Sequence, residues 1–271
     1  METVKSIIED IISATFRVIT DVYKYQKESN PENFTVVPPD NSYIIFPQKA
    51  DNDTEDDTED VGSDRISEQE LRFIFVEQFN KPDKAKENGL FYSIETPTRK
   101  FYCFDGLPRV VDEEEHNKNK GQKGAGRSAN IDLVIYQKKD DTIKRIALIE
   151  FKAHNPDEKD YRKDICKLIN EESESDCLKY FIQIINNGSD FNDFRNLELK
   201  GHKRNTLRSI QNKMKNPDEL RHKTNKNDDY PIYEITYWCC NLNIQKPQKI
   251  TGIINKEGLS YKECESLSTA E

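Results

Sequence analysis

Residues 146–154 of the chain read Ile-Ala-Leu-Ile-Glu-Phe-Lys-Ala-His, and this stretch is the clearest indication of a buried β-sheet in the sequence. Its first four residues are apolar, which predicts a central strand buried on both faces. Side chains alternate between the two faces of a strand, so Glu150 and Lys152 share one face. Burying these two charges is costly unless each has a partner, so the strand predicts a compensated polar site.

A second carboxylate, that of Asp132, interrupts the preceding apolar run, Ile131–Tyr136. If both strands run to the same edge of the sheet, Asp132 lies beside Glu150. Two neighbouring carboxylates repel each other unless a cation lies between them. The structural alternative is an ion pair between Glu150 and Lys152, with Asp132 bridged elsewhere at the sheet edge.

A hard divalent cation would resolve this repulsion. Mg²⁺, or Mn²⁺ in its place, prefers carboxylate, carbonyl and water oxygens and keeps positions open for a substrate phosphate. The expected ligands are Asp132, Glu150 and the backbone carbonyl of Phe151. Lys152 would then orient a metal-bound water and offset developing negative charge. Such a site suits attack on a phosphodiester.

The segment Asn130-Ile131-Asp132, followed eighteen positions later by Glu150-Phe151-Lys152, resembles the PD-(D/E)XK nuclease superfamily over about residues 64–190. The resemblance implies an α/β, restriction-endonuclease-like core with a central mixed four-stranded sheet flanked by helices. It also implies a metal-dependent nuclease, an endonuclease rather than an exonuclease, with DNA as the expected substrate. Asp132 and Glu150 are then the metal-binding carboxylates and Lys152 the catalytic lysine. A role in restriction or another prokaryotic defence follows from family association alone.

The sequence departs from the family pattern in two places. Ile131 stands where the motif's name has proline, and the helix after the second strand lacks a glutamine followed four residues later by tyrosine. Because the superfamily contains inactive members, the alternative is a catalytically silent module that binds nucleic acid or a protein partner. A third possibility is an interaction subunit whose acidic segment mimics nucleic acid.

Many relatives in the superfamily carry a further acidic residue on the first core helix, and Glu70 is the candidate here. The pattern Ser67 followed by Glu70 is also that of a helix capping box, which by itself explains this glutamate. Glu95 precedes Pro97 at a strand end, where it either faces the same cleft or is simply a polar surface residue.

Basic residues outside the central motif are candidates for contacting nucleic acid. The glycine-rich loop at residues 121–128 predicts a flap that would carry Arg127 and Ser128 to a phosphate, or else a solvated linker. A helix near residues 202–215 places Arg204, Arg208 and Lys215 on one flank. A third basic stripe, on the helix after Pro156, is predicted to face solvent and consists of Lys159, Lys163 and Lys167.

The chain divides into four predicted parts: an amphipathic helix with a possible hairpin at 1–47, an acidic linker at 48–64, the nuclease domain at 65–255 and a polar tail at 256–271. Strands are expected at Leu90–Thr96, Lys100–Phe104, Tyr180–Ile185, Ile232–Leu242 and Lys249–Ile254, and residues 105–128 as a long loop. The helix at residues 2–27 either packs on its own domain or docks a partner protein or a second copy.

Composition places the chain among soluble proteins. No stretch approaches about 18 uncharged apolar residues, so no membrane span is expected. The net charge of −9 is uneven, since residues 51–60 hold seven acids while residues 199–226 carry a local +7. None of the six cysteines forms a CxxC pair, which predicts reduced thiols and a cytoplasmic protein.

Overall fold

The architecture is taken from a computed structural model of the chain. It describes residues 2–28, 44, 67–81, 83–105, 108–153, 158–171, 177–185, 233–241, 246–255 and 258–266. The predicted hairpin around residue 40, the acidic linker at 48–64 and the basic helix near 202–215 lie outside the described residues.

The described residues form five helices and eight strands. The helices are α1 (Glu2–Glu28), α2 (Glu68–Asn80), α3 (Asp83–Glu87), α4 (Glu113–Lys118) and α5 (Glu158–Asn170). The strands are β1 (Leu90–Cys103), β2 (Arg109–Val111), β3 (Arg127–Lys139), β4 (Thr142–Ala153), β5 (Leu178–Ile185), β6 (Tyr233–Asn241), β7 (Lys246–Asn255) and β8 (Gly258–Ser266).

The strands form one mixed sheet in the order β2-β1-β3-β4-β5-β6-β7-β8. Strand β3 is antiparallel to both of its neighbours, β1 and β4, whereas β5 is parallel to β4 because α5 carries the chain back across the sheet. The α/β class is as predicted, but the number of strands was wrong. Up to Ile185 the sheet has five strands rather than four, and β6–β8 extend it further.

Helices cover both faces of the sheet around β4. On one face, Ile149 and Phe151 pack with apolar residues of α1 and α2 in a single cluster. On the other face, Leu148 packs with the apolar stripe of α5, which includes Ile165 and Leu168. This burial on both faces explains the apolar run from Ile146 to Ile149, and it makes Glu150 and Lys152, which follow that run, the exception.

Helix α1 confirms the predicted amphipathic helix and the first of its two interpretations. Its apolar side chains are buried in the same cluster as α2 and the sheet: Val4, Ile7, Ile8, Ile11, Ile12, Phe16, Val18, Ile19 and Val22. Docking of a partner protein or a second copy through residues 2–27 stays a prediction. No helix among the described residues has the length and apolarity to cross a membrane.

The two strands predicted around Pro97-Thr98-Arg99 are one strand, β1, with an irregular register between Pro97 and Phe101. A bulge tolerates proline because it removes no ladder hydrogen bond there. The Thr98 hydroxyl accepts a hydrogen bond from the N–H of Ala129 (2.9 Å) and donates one to the carbonyl of Lys100 (2.8 Å). These bonds keep β1 attached to β3 across the bulge, where sequence patterning predicted a break.

Two other segments differ from their predicted structure. The predicted loop at 105–128 contains β2 and α4, and Asp112 caps α4 by accepting a hydrogen bond from the N–H of Glu115 (2.7 Å). Within the predicted polar tail at 256–271, residues 258–266 form β8, which pairs with β7. Both segments are polar, and backbone pairing with a neighbouring strand outweighs their weak sequence pattern.

Candidate active site

A β-bulge between β3 and β4 sets the geometry of the site. From Lys139↔Thr142 to Tyr136↔Arg145 the strands keep one register, and the register shifts between Ile135 and Tyr136. Beyond the shift, Leu133 pairs with Ile149, where the pairing ends; one further step in this register sets Asp132 across from Glu150. Without this one-residue shift Asp132 would lie opposite Ile149, on the other face from Glu150.

The three residues predicted to carry the chemistry meet at this end of the sheet. The backbone N–H of Phe151, which lies between Glu150 and Lys152, donates a hydrogen bond to Asp132. Lys152 follows Glu150 by two positions on β4, and α5 covers the face that these two residues share.

Asp132 is held by the neighbouring strand. Its Oδ2 accepts a 2.8 Å hydrogen bond from the backbone N–H of Phe151, and its Oδ1 lies 3.9 Å from a guanidinium nitrogen of Arg72. Burial, together with the carboxylate of Asp164, raises the pKa of Asp132, whereas the hydrogen bond from Phe151 opposes the shift. Burial thus makes the charge of this carboxylate costly, and its partners offset that cost only in part.

Glu150 is completely buried, and its carboxylate is only partly satisfied. Its Oε1 forms an ion pair with the Nζ of Lys167 at 2.7 Å, but neither of its oxygens has a partner in hydrogen-bond geometry in the part of the chain that the structure describes. Burial and then the nearby carboxylate of Asp164 raise the pKa of Glu150 well above its usual value, against the opposing effect of Lys167.

Lys152 pairs with acids other than Glu150. Its Nζ lies 2.8 Å from Oδ2 of Asp164 and 3.3 Å from Oε1 of Glu68. Burial lowers the pKa of Lys152, but the carboxylates of Asp164 and Glu68 outweigh burial, so that the net pKa is raised. The lysine is therefore held as an ammonium, and the alternative of a simple Glu150–Lys152 ion pair does not describe this arrangement.

Helix α5 supplies two site residues that the sequence analysis missed. Asp164 contacts Lys152 through one oxygen and Lys167 through the other, the latter at 2.9 Å. Lys167 also donates a 2.8 Å hydrogen bond to the backbone carbonyl of Asn130. The prediction that Lys167 faces solvent was wrong, since its side chain is only 9 % exposed. Its neighbour Lys163 is more exposed and pairs with Asp160, and the side chain of Lys159 lies outside the described residues.

The first turn of α2 contains two glutamates with different roles. Glu70 completes the predicted capping box, because its carboxylate accepts from the N–H of Ser67 and the hydroxyl of Ser67 accepts from the N–H of Glu70. Glu68 is the glutamate that reaches Lys152. Burial raises the pKa of Glu68, and Lys152 opposes the shift. The catalytic role assigned to Glu70 stays a prediction, and Glu68 is the better placed acid.

Glu95 belongs to the same cluster. The pairs Ile94↔Leu133 and Thr96↔Ile131 place Glu95 opposite Asp132, and its carboxylate pairs with Arg72. Its backbone has a positive φ of 50°, which is strained for a residue with a side chain. Strain of this kind is concentrated at functional sites, which favours the interpretation that Glu95 faces the cleft.

Of the residues predicted to contact nucleic acid, the structure describes only Arg127 and Ser128, at the start of β3. Arg127 and Ser128 are exposed there, and the Ser128 hydroxyl donates to the carbonyl of Thr98 at 3.3 Å. Arg204, Arg208 and Lys215 lie outside the described residues. Contact of these residues with nucleic acid remains a prediction.

The charge of the cluster fits a divalent cation. Its acids are Glu68, Glu95, Asp132, Glu150 and Asp164, and its cations are Arg72, Lys152 and Lys167, so two formal negative charges are left over. The unpaired Oε2 of Glu150 adds a buried oxygen donor of the type that Mg²⁺ prefers. Among the described residues no three His, Cys, Asp or Glu side chains are arranged to hold a metal. Lysine ammonium groups take the carboxylate oxygens instead.

Comparisons of the chain with protein-family models, with curated proteins and with solved structures give no match.

Proposed function

We propose that the chain is a divalent-metal-dependent nuclease of the PD-(D/E)XK type that hydrolyses phosphodiester bonds in nucleic acid, with DNA as the expected substrate. The observation that carries the proposal is the hydrogen bond from the N–H of Phe151, which lies between Glu150 and Lys152, to the carboxylate of Asp132 where the pairing of β3 with β4 ends. The succession α2-β1-β3-β4-α5-β5, with β5 parallel to β4, adds support because it matches a mixed sheet between helices.

In this proposal Asp132, Glu150 and the carbonyl of Phe151 would hold Mg²⁺ or Mn²⁺. The bound ion supplies Lewis-acid chemistry, which lowers the pKa of a coordinated water and polarises the phosphate. The protein's own part is electrostatic: Asp164 and Glu68 keep Lys152 charged and in place. An ammonium held there stabilises negative charge that develops on the phosphate oxygens during attack.

A catalytically silent module that binds nucleic acid or a protein is the second candidate. The observation that favours it is the ion pair between Glu150 and Lys167, which occupies one of the two predicted acidic ligands. A silent module would keep the acidic cluster as a structural feature and would bind without cleaving.

A cleavage assay separates these two functions. Supercoiled plasmid, linear duplex, single-stranded DNA and RNA would each be incubated with the full chain in Mg²⁺, in Mn²⁺ or in chelator. Asp132→Asn and Lys152→Ala should abolish a metal-dependent cleavage. Matched changes at exposed positions, Asp141→Asn and Lys144→Ala, should leave it intact.

Circular dichroism would establish that each variant is folded. Cleavage that survives both site variants would refute the proposal. Binding of nucleic acid without any cleavage in either metal would favour the silent module.

A further inference from the structure

The ammonium group of Lys167 lies in a site whose surrounding oxygens suit a cation. Its Nζ has three oxygens within 2.9 Å: Oε1 of Glu150, Oδ1 of Asp164 and the backbone carbonyl of Asn130. These oxygens come from β4, α5 and β3, so three separate elements converge on one ammonium group. Carboxylate and carbonyl oxygens are also the ligands that a hard divalent cation takes in proteins.

The second oxygen of Glu150 points to a ligand beyond Lys167. Glu150 has no exposed surface, and its Oε2 has no hydrogen-bond partner within the described parts of the chain. A fully buried carboxylate oxygen without a partner is costly. The ammonium thus approaches one oxygen of this carboxylate as an ion pair and leaves the other without a partner among the described residues, although both oxygens are removed from water.

We propose that Lys167 is an internal competitor of the metal: its ammonium fills the cation position between Glu150, Asp164 and the Asn130 carbonyl, and a divalent ion binds by displacing it. The inference rests on the proposed function, since it concerns the same carboxylates. It adds Asp164 and the Asn130 carbonyl to the oxygens available to the ion. It also makes Lys167 a residue that sets metal affinity.

The physical reason is a difference in charge and in ligand number. One ammonium brings a single positive charge to a cluster with an excess of acids, whereas a dication brings two and can engage both oxygens of Glu150. While Lys167 is present, binding of the ion includes the cost of breaking its three contacts. Removing the lysine charge therefore strengthens metal binding, because unit charges a few ångströms apart interact strongly in a poorly solvated site.

The test is calorimetric titration of the metal-free full chain with Mn²⁺ alone. Lys167→Gln should bind Mn²⁺ with a Kd lower than that of the wild type by about tenfold or more. The matched control is Lys163→Gln, the same change one turn earlier on α5, where the lysine pairs only with Asp160 among the contacts described. It should bind as the wild type does. Lys167→Arg, which keeps the charge, should show no gain in affinity.

Lys167→Gln also leaves two buried carboxylates without their cation, so this variant is expected to be less stable without metal. If it fails to fold, circular dichroism during Mn²⁺ addition replaces the titration. Recovery of the fold by Mn²⁺, and not by the same concentration of Na⁺, supports the inference. Failure of Mn²⁺ to restore the fold overturns it.

A measurement on the wild type tests displacement directly. Labelling of Lys167 by an amine-reactive reagent, followed by mass spectrometry, should increase when Mn²⁺ saturates the protein, while labelling of Lys163 stays constant. Unchanged or reduced labelling of Lys167 would overturn displacement.

The results also separate this inference from the proposed function. If Mn²⁺ binds the wild type and is lost in Asp132→Asn, but Lys167→Gln binds no tighter, only the competitor role fails. If neither the wild type nor Lys167→Gln binds Mn²⁺, both proposals fail.

Discussion

The backbone N–H of Phe151 donates a 2.8 Å hydrogen bond to Oδ2 of Asp132, and this bond joins the two strands that carry the candidate site. One oxygen of Asp132 is thereby used to hold β4 in place, between Glu150 and Lys152. The other oxygen lies near Arg72. Asp132 thus has a structural role and a proposed chemical role, and different substitutions separate the two.

Asp132→Asn should retain the fold and lose metal-dependent cleavage, because an amide oxygen still accepts the hydrogen bond from Phe151 while the negative charge is gone. Asp132→Ala should lose cleavage and also stability, by about 1–3 kcal/mol, because the N–H of Phe151 loses its acceptor. Urea denaturation of the two variants measures this difference. Equal unfolding free energies for the two variants would contradict the structural role.

The two glutamates of α2 should differ in their effect on cleavage. Glu68→Gln removes a charge that holds Lys152, so we expect the cleavage rate to fall on the order of tenfold, as is common when a residue that positions a reacting group is changed. Glu70→Gln keeps an oxygen that can accept from the N–H of Ser67 and should change the rate far less. Single-turnover cleavage rates of the two variants measure this contrast. A larger loss in Glu70→Gln would instead support the original assignment of Glu70 as the catalytic acid.

Local patterning predicted the elements that carry the site but not the way in which they meet. The apolar run before Glu150 predicted the central strand β4, and Ser67 with Glu70 predicted the start of α2. The bulge that brings Asp132 opposite Glu150 could not be predicted, since the residues around Ile135 follow an ordinary strand pattern. A register counted from the turn alone would have put the two acids on opposite faces.

The burial of Lys167 was missed for a similar reason. A lysine flanking an apolar helical stripe faces solvent in most proteins, and only the tertiary packing of α5 on β4 brings it to Glu150. Its spacing of three residues from Asp164 was the available signal, because residues at that spacing lie side by side on a helix. The pattern shows a local ion pair but does not reveal that both residues are buried.

Lys179, on β5, should make the unfolding free energy of the protein depend on pH. Burial lowers the pKa of Lys179 to about 8, and Lys100 adds to the shift, whereas Cys177 and Glu171 oppose it. Below about pH 8 the lysine is charged in both the folded and the unfolded chain, so the folded protein bears the full cost of a buried charge. Between about pH 8 and 10.5 the unfolded chain binds more protons, so stability rises with pH.

Lys179→Met should therefore gain stability over the wild type below about pH 8, and the gain should shrink as the pH rises toward 10.5. Urea denaturation of both proteins across this range measures the difference, and other groups that titrate there cancel in the comparison. Lys144→Met, at an exposed position of β4, is the control and should show no such trend. A gain that does not vary with pH would show that Lys179 keeps its ordinary pKa.

Gly126 should be the least replaceable glycine of the loop that leads into β3. It has a φ of +74°, and a Cβ added there would lie 2.8 Å from Cγ2 of Val111 on β2. Gly124 also has a positive φ, of +87°, but a Cβ at that position meets nothing within 4 Å. Substitutions at Gly124 and Gly126 therefore separate the cost of the backbone conformation, which both share, from the cost of a clash with Val111, which only Gly126 has.

Gly124→Ala should lose about 1–2 kcal/mol of unfolding free energy from backbone strain alone. Gly126→Ala should lose a further 1–3 kcal/mol, roughly, because Val111 is buried and can move only by disturbing β2 and its pairing with β1. Urea denaturation of the two variants gives both values. Equal losses would mean that β2 shifts without cost and does not hold the loop that precedes Arg127.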